Sequence, residues 1–129
     1  MSNCTLGETM NWTTALVMGL ALALIFILKR SGQISSKQAV EYLKSGALIV
    51  DVRSSGEFRS RHLPAALNIP LGEVENALPR RIRDKKQVLL LHCQSGMRSG
   101  IAVRKLKSLG YVNAYNLGSY ARAASIAGK

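Results

Sequence analysis

The sequence predicts an α/β fold, a central parallel β-sheet flanked by helices, preceded by one N-terminal transmembrane helix. Short apolar runs rich in β-branched residues alternate with helical patterns after residue 33, which is how a parallel sheet covered on both faces reads. Residues 13–28 carry no charge at all. With 129 residues in total, the chain has room for one domain on a scale of about 100–200 residues each.

The balance of residue types excludes several classes. Apolar residues make up 47% of the chain, too many for intrinsic disorder, and aromatic residues only 5%, too few for a base-stacking platform. Two cysteines, Cys4 and Cys93, cannot build a disulfide framework. Eighteen Lys and Arg against seven Asp and Glu give a net charge of +11, so anionic surfaces or substrates are natural partners. Residues 1–30 hold only Glu8, Lys29 and Arg30, so all but one unit of that charge lies beyond them.

Residues 1–11 read as a short extracytoplasmic tail and 12–28 as the span. Seventeen residues make about 25 Å of helix, the short end of what crosses a bilayer, and Lys29 and Arg30 can snorkel to close the gap. Positive charges follow the apolar run instead of preceding it, the reverse of a cleaved signal peptide. The same asymmetry puts the C-terminal domain in the cytoplasm with Trp12 at the opposite interface. Cys4 and Cys93 then lie on opposite sides of the membrane, and Cys93 is a free thiol in a reducing compartment. A domain of about 100 residues cannot surround such a run as a core helix.

Residues 29–33 form a linker and 34–129 the domain. Ser35 with Gln38 reads as a capping box opening a helix with Ala39, Val40 and Leu43 on its apolar stripe and Gly46 as its stop. Residues 47–52 form a strand buried on both faces, with Asp51 and Arg53 at the end where open α/β sheets place their sites. Residues 67–69 make a second strand, and 71–78 a short helix ended by Pro79. Residues 87–92 are a third, central strand. A compact loop, Cys93 to Arg98, leads into a helix that runs to Leu109 and stops at Gly110. A strand at 112–117 and a small-residue helix at 119–127 complete the domain.

The loop after the central strand carries the chemistry. Backbone amides between a strand end and a helix N-terminus converge on one anionic atom, which favours thiolate over thiol at Cys93. Burial as a small hydrophobe is the commoner fate of a free cysteine, but Gln94, Ser95, Gly96, Arg98 and Ser99 make the surroundings polar. His92 adjoins Cys93, yet neighbours on a strand face opposite ways, so it reads as a packed structural residue. His62 lies in a loop before Pro64. Two histidines and one available cysteine show no metal-site spacing, and neither metal nor cofactor is expected.

The segments Asp51-Val52-Arg53, Glu57-Phe58, His62-Leu63-Pro64-Ala65-Ala66-Leu67-Asn68-Ile69-Pro70 and Cys93-Gln94-Ser95-Gly96-Met97-Arg98-Ser99 occur in the order of the motifs of the rhodanese family of single-domain sulfurtransferases, which the sequence resembles from Ile34 to about Leu117. The resemblance implies a rhodanese-like fold with the cysteine loop as active site. There Cys93 takes a sulfane sulfur from a donor such as thiosulfate and passes it to cyanide or a thiol. Four residues separate Cys93 from Arg98, as in the sulfurtransferases; related phosphatases and arsenate reductases carry five. The sequence departs from the pattern at Arg61 and Ala65, where glycine is usual, and at Ser119-Tyr120 and Ala124.

Within that reading Cys93 is the nucleophile. Gln94, Ser95, Gly96 and Met97 supply amides, and Arg98, Ser99 and Arg53 are placed with the substrate. Arg98 either attracts the donor or braces the loop, with bracing slightly ahead. Asp51 and His62 give structural support, and an Asp51–Arg53 salt bridge is as well founded as a substrate role. The partners expected are a small sulfane-sulfur donor, a thiol or cyanide acceptor, a protein donor or acceptor, and the membrane. The alternative is a tethered sulfur-carrier or regulatory module without efficient turnover. Arg80, Arg81, Arg83, Lys85 and Lys86 read as a basic loop that is solvated, contacts anionic lipid or attracts an anionic donor or acidic protein; nucleic acid is not expected, since no recognition module accompanies the charge.

Overall fold

The computed structural model describes the backbone of residues 11–30 and 32–129 and the side chains of all of these except 28–30. The chain divides into two compact units between Ser31 and Gly32. The expected tail falls almost wholly outside the described residues, Cys4 included.

In the first unit, helix α1 runs Trp12–Arg30, two residues beyond the expected span. Its first turn is closed by Asn11, whose carbonyl accepts from the Thr14 amide at 2.7 Å and the Thr14 hydroxyl at 2.7 Å. Among the described residues no helix is long and apolar enough to cross a membrane.

In the second unit the elements follow in the order α2 (Ser36–Lys44), β1 (Leu48–Asp51), α3 (Ser55–Ser60), β2 (Leu67–Asn68), a 3-10 turn (Leu71–Glu73), α4 (Val74–Arg81), β3 (Leu89–His92), α5 (Met97–Ser108), β4 (Ala114–Gly118) and α6 (Tyr120–Ala127). The four strands form one sheet in the order β2-β1-β3-β4, and each pairs parallel with its neighbours. The apolar β3 run fits this because both faces are covered. Leu89, Leu91 and Cys93 pack with Leu78, Ala102 and Leu106 on one side, and Leu90 packs with Ala39, Ala123 and Ile126 on the other. Full burial of each leucine contributes about 1.5–3 kcal/mol.

Local signals account for most boundaries. The Ser35 hydroxyl accepts from the Gln38 amide at 3.2 Å, but the reciprocal half of the expected box is not among the bonds made; Gln38 turns to Tyr42 instead. Gly46 and Gly110 end their helices at φ 96° and 95°, a region that glycine enters without cost.

Three expectations need correction. Pro79 does not end its helix: α4 continues to Arg81, because buried Leu78 and Ile82 hold that turn to the core and offset the lost amide bond. Arg80 and Arg81 are therefore helical, and only Arg83, Lys85 and Lys86 belong to the following turn. The segment after Arg53 holds an unexpected helix, α3, whose signal is a full capping box: the Ser54 hydroxyl accepts from the Glu57 amide at 3.2 Å and the Glu57 carboxylate accepts from the Ser54 amide at 2.9 Å.

The basic run precedes β3 and Cys93 follows it, so the two are separated by the strand's length, about 13 Å. Part of the run is structural, since Lys85 donates to the Leu109 carbonyl at 2.6 Å, a cation where the α5 dipole is negative.

Ala65 is the one non-glycine residue described with positive φ, at 61°. The left-handed region costs a residue with a Cβ about 1–2 kcal/mol, partly offset by the greater unfolded freedom of glycine. Ala65→Gly is expected to raise stability by about 0.5–1 kcal/mol, read as a higher urea midpoint at unchanged slope; a lower midpoint refutes it.

Candidate active site

The loop at Cys93 lies where β3 gives way to α5, and β4 shapes it from beside. The β3–β4 register slips between Leu91 and His92, so that His92 pairs with Gly118 instead of Leu117. This irregularity lifts Gly118, at φ 101°, against the loop. Its carbonyl accepts from the Cys93 amide at 3.2 Å, and the Gln94 carbonyl accepts from the Tyr120 amide at 3.3 Å. Gly96, at φ 93°, caps α5, and a Cβ there would come within 3.4 Å of Gly118 backbone and 3.2 Å of the Gln33 amide. Glycine is required on both grounds.

Around the sulfur, the Gly96 amide donates to Sγ at 3.0 Å and the Ser99 hydroxyl lies 3.5 Å away. Burial raises the pKa of this thiol, but the Ser99 hydroxyl and the amides of Ser99, Gly96 and Ser95 outweigh it, so the net shift is downward. The amides that lower this pKa are those of Ser95, Gly96 and Ser99; of the four expected, Gln94, Ser95, Gly96 and Met97, only Ser95 and Gly96 are among them, and the Ser99 amide takes part where only the Ser99 side chain was placed with the substrate. Cys93 itself has no exposed surface, against the expectation from its polar neighbours, because it packs with Leu89, Leu91 and Ala102 in the core cluster on that face of the sheet.

Asn116 was not singled out from sequence and is central here. Its Oδ1 accepts from the Ser99 hydroxyl at 2.8 Å and from the Gly118 amide at 2.9 Å, and its Nδ2 donates to the Gly96 carbonyl at 3.1 Å. It ties together the residues that hold Sγ. The available signal was a lone amide in an otherwise apolar strand, since a buried polar side chain persists only with partners.

Arg98 and Glu57 form a two-pronged pair at 2.8 and 3.0 Å that links α5 to α3. Arg98, first, and the Ser54 amide push the Glu57 pKa down to about 2. Arg98 is raised, chiefly by Glu57 and with a contribution from Cys93. The geometry therefore braces Arg98 beside the thiol, and Glu57 is its positioning partner.

Arg53 differs from its expected place with the substrate. It is buried, its Nε and Nη2 donate to Asp51 at 2.7–3.0 Å, and Nη2 also donates to the Arg61 carbonyl at 2.6 Å. A guanidinium buried beside a carboxylate turns toward it, because an unpaired charge there is too costly. Asp51 also accepts from the Arg53 amide at 2.9 Å, so it holds that turn of backbone as well as the guanidinium. His92 is fully buried with Nε2 3.7 Å from Asp51, on the face opposite Cys93, and burial lowers its pKa. His62 is exposed; it stacks on Phe58 with centroids 4.0 Å apart and its Nδ1 lies 2.8 Å from the Phe58 carbonyl, at the end of α3. Among the described residues no group of three or more His, Cys, Asp or Glu could hold a metal ion.

A strand-to-helix loop that gathers amides on one buried thiolate can stabilise an anion on sulfur. The family model for the rhodanese-like domain matches residues 35–122. The chain belongs to the rhodanese-like domain family. Among its relatives, the thiosulfate sulfurtransferase PspE of Escherichia coli is 33% identical over 69 residues, 54% of this chain and 66% of that protein. The thiosulfate:glutathione sulfurtransferase of Homo sapiens is 36% identical over 87 residues, 57% of this chain and 76% of that protein. The chain spans only 36% and 55% of two Bacillus subtilis relatives. In structure, this rhodanese-like domain resembles the human single-domain sulfurtransferase TSTD1, with a TM-score of 0.64 at 32% identity, covering 73% of this chain and 96% of that one. The Escherichia coli and human relatives and TSTD1 are named as sulfurtransferases.

Lowered thiol pKa makes a pH prediction. The thiolate is the reactive form, so a folded-state pKa below that of a free cysteine keeps it populated as pH falls. The pH midpoint for iodoacetamide alkylation of Cys93 in the folded chain is expected below that of the same cysteine in the urea-unfolded chain; a midpoint at or above the unfolded one refutes the cradle.

Proposed function

We propose that this chain is a rhodanese-type sulfurtransferase in which Cys93 carries the transferred sulfur. The observation behind it is the convergence of the Ser95, Gly96 and Ser99 amides and the Ser99 hydroxyl on one buried thiol. The Cys93 thiolate attacks the outer sulfur of thiosulfate; a new S–S bond forms as the old one breaks, and sulfite leaves with the electron pair. The cradle that held the thiolate then holds the persulfide anion. Attack by cyanide on the outer sulfur releases thiocyanate and restores the thiolate; a thiol acceptor leaves as its own persulfide. A protein donor or acceptor is served by the same step. Arg98, braced by Glu57, adds positive charge beside the sulfur.

The proposed setting is a membrane, with the domain on the cytoplasmic side. Its support is the uncharged run to Leu28 followed by Lys29 and Arg30 and the exposure of every described side chain of α1.

Intact mass after incubation with thiosulfate tests the chemistry: one added sulfur that cyanide removes supports it, and no adduct with any sulfane donor sinks it. A persulfide that forms but turns over slowly favours the carrier reading. Recovery of the full chain in the supernatant, after membranes are pelleted without detergent, removes the anchor.

A further inference from the structure

Arginines gathered at the C-terminal end of the sheet differ in what neutralises them. Arg53 pairs with Asp51 and Arg98 with Glu57, while Arg122 is turned to the carbonyls of Leu117 and Ile34. Arg61 is exposed, and no carboxylate pairs with it among the described residues. Its backbone is fixed, since its amide donates to the Glu57 carbonyl at 3.2 Å and its carbonyl accepts from Arg53. Its guanidinium sits 5.0 Å from the centroid of the Tyr120 ring. That ring already has Arg53 at 4.7 Å, and the Tyr120 amide bonds the Gln94 carbonyl of the thiol loop.

Arg61 is therefore a rim cation that no carboxylate neutralises among the described residues, held by an aromatic face and joined to the thiol loop through a single residue. The loop amides converge on the sulfur itself, and Arg61 meets the loop only through Tyr120. It suits an anionic group some bonds removed from the sulfur, and a guanidinium fork matches a carboxylate.

We propose that Arg61 is a specificity-determining residue that selects sulfane-sulfur donors bearing a carboxylate several bonds from the transferred sulfur. This rests on the sulfurtransferase reading and deepens it. The step is unchanged: Cys93 takes the outer sulfur of a persulfide, and the donor leaves as its thiolate.

The test loads Cys93 in the full chain from glutathione persulfide, which carries remote carboxylates, and from 2-mercaptoethanol persulfide, which carries none. Loading is followed by intact mass against donor concentration. Arg61→Gln keeps a polar side chain, two bonds shorter, and removes its charge; it is expected to raise the half-saturating concentration of glutathione persulfide about tenfold. The maximal rate and the loading from 2-mercaptoethanol persulfide stay within twofold, and Arg61→Lys recovers most of the loss. An equal fall for both donors assigns Arg61 a structural role and overturns the proposal, as does no change for either. Wild-type protein that loads from thiosulfate but from neither persulfide overturns the proposal, and wild-type protein that loads from no sulfane donor overturns the sulfurtransferase reading itself.

Discussion

Replacing Cys93 by serine is expected to abolish sulfur uptake from thiosulfate and to cut thiocyanate formation by on the order of 10³-fold or more, since no other described group can form the persulfide. Serine fits the same cradle and can accept from the Gly96 amide that now bonds Sγ at 3.0 Å. The urea midpoint should therefore correspond to a change within about 1 kcal/mol, which separates lost chemistry from lost fold. Substantial thiocyanate production by a folded Cys93→Ser protein would show that the sulfur travels elsewhere.

The largest stability effect belongs to Asp51. Its side chain is fully buried and accepts from the Arg53 amide at 2.9 Å as well as from the guanidinium. The Asp51 hydrogen bond, against partial burial, raises the Arg53 pKa, so Arg53 stays a cation. Asp51→Asn leaves Arg53 a buried cation with no compensating charge, at a cost of about 3–5 kcal/mol. For a domain of ordinary stability, about 5–15 kcal/mol, this is enough to unfold much of the population on mild warming. Urea unfolding measures it, and the double variant Asp51→Asn, Arg53→Met should recover most of the loss by removing the stranded charge. A single variant as stable as wild type would mean that the pair is not a support of the site.

How far the site was legible depended on whether its parts are local in sequence. The cysteine loop was, because an apolar strand, a thiol, small polar residues and a helix start are consecutive, and convergent amides follow from that order alone. Helix α3 was legible but unread: Ser54 and Glu57 stand at capping-box spacing. Local rules misplaced the end of α4, because the hydrophobic contacts of Leu78 and Ile82 override a proline. The partners of the site are distant in sequence. Glu57 meets Arg98 across 41 residues, and Asn116 meets Gly96 across 20.

By itself, then, the sequence determined the alternation of strands and helices, the thiol at the end of the central strand and the glycine that lets its loop turn. These depend on side-chain periodicity and on backbone conformations that neighbouring residues set. Only the tertiary structure decided how the charges around that thiol are spent. It turned Arg53 inward to Asp51, braced Arg98 on Glu57, placed Asn116 behind the loop and set Arg61 on the Tyr120 ring at the rim. A buried charge takes whichever partner the fold brings within reach, and that depends on the packing of the sheet and its helices, which spacing along the chain does not encode.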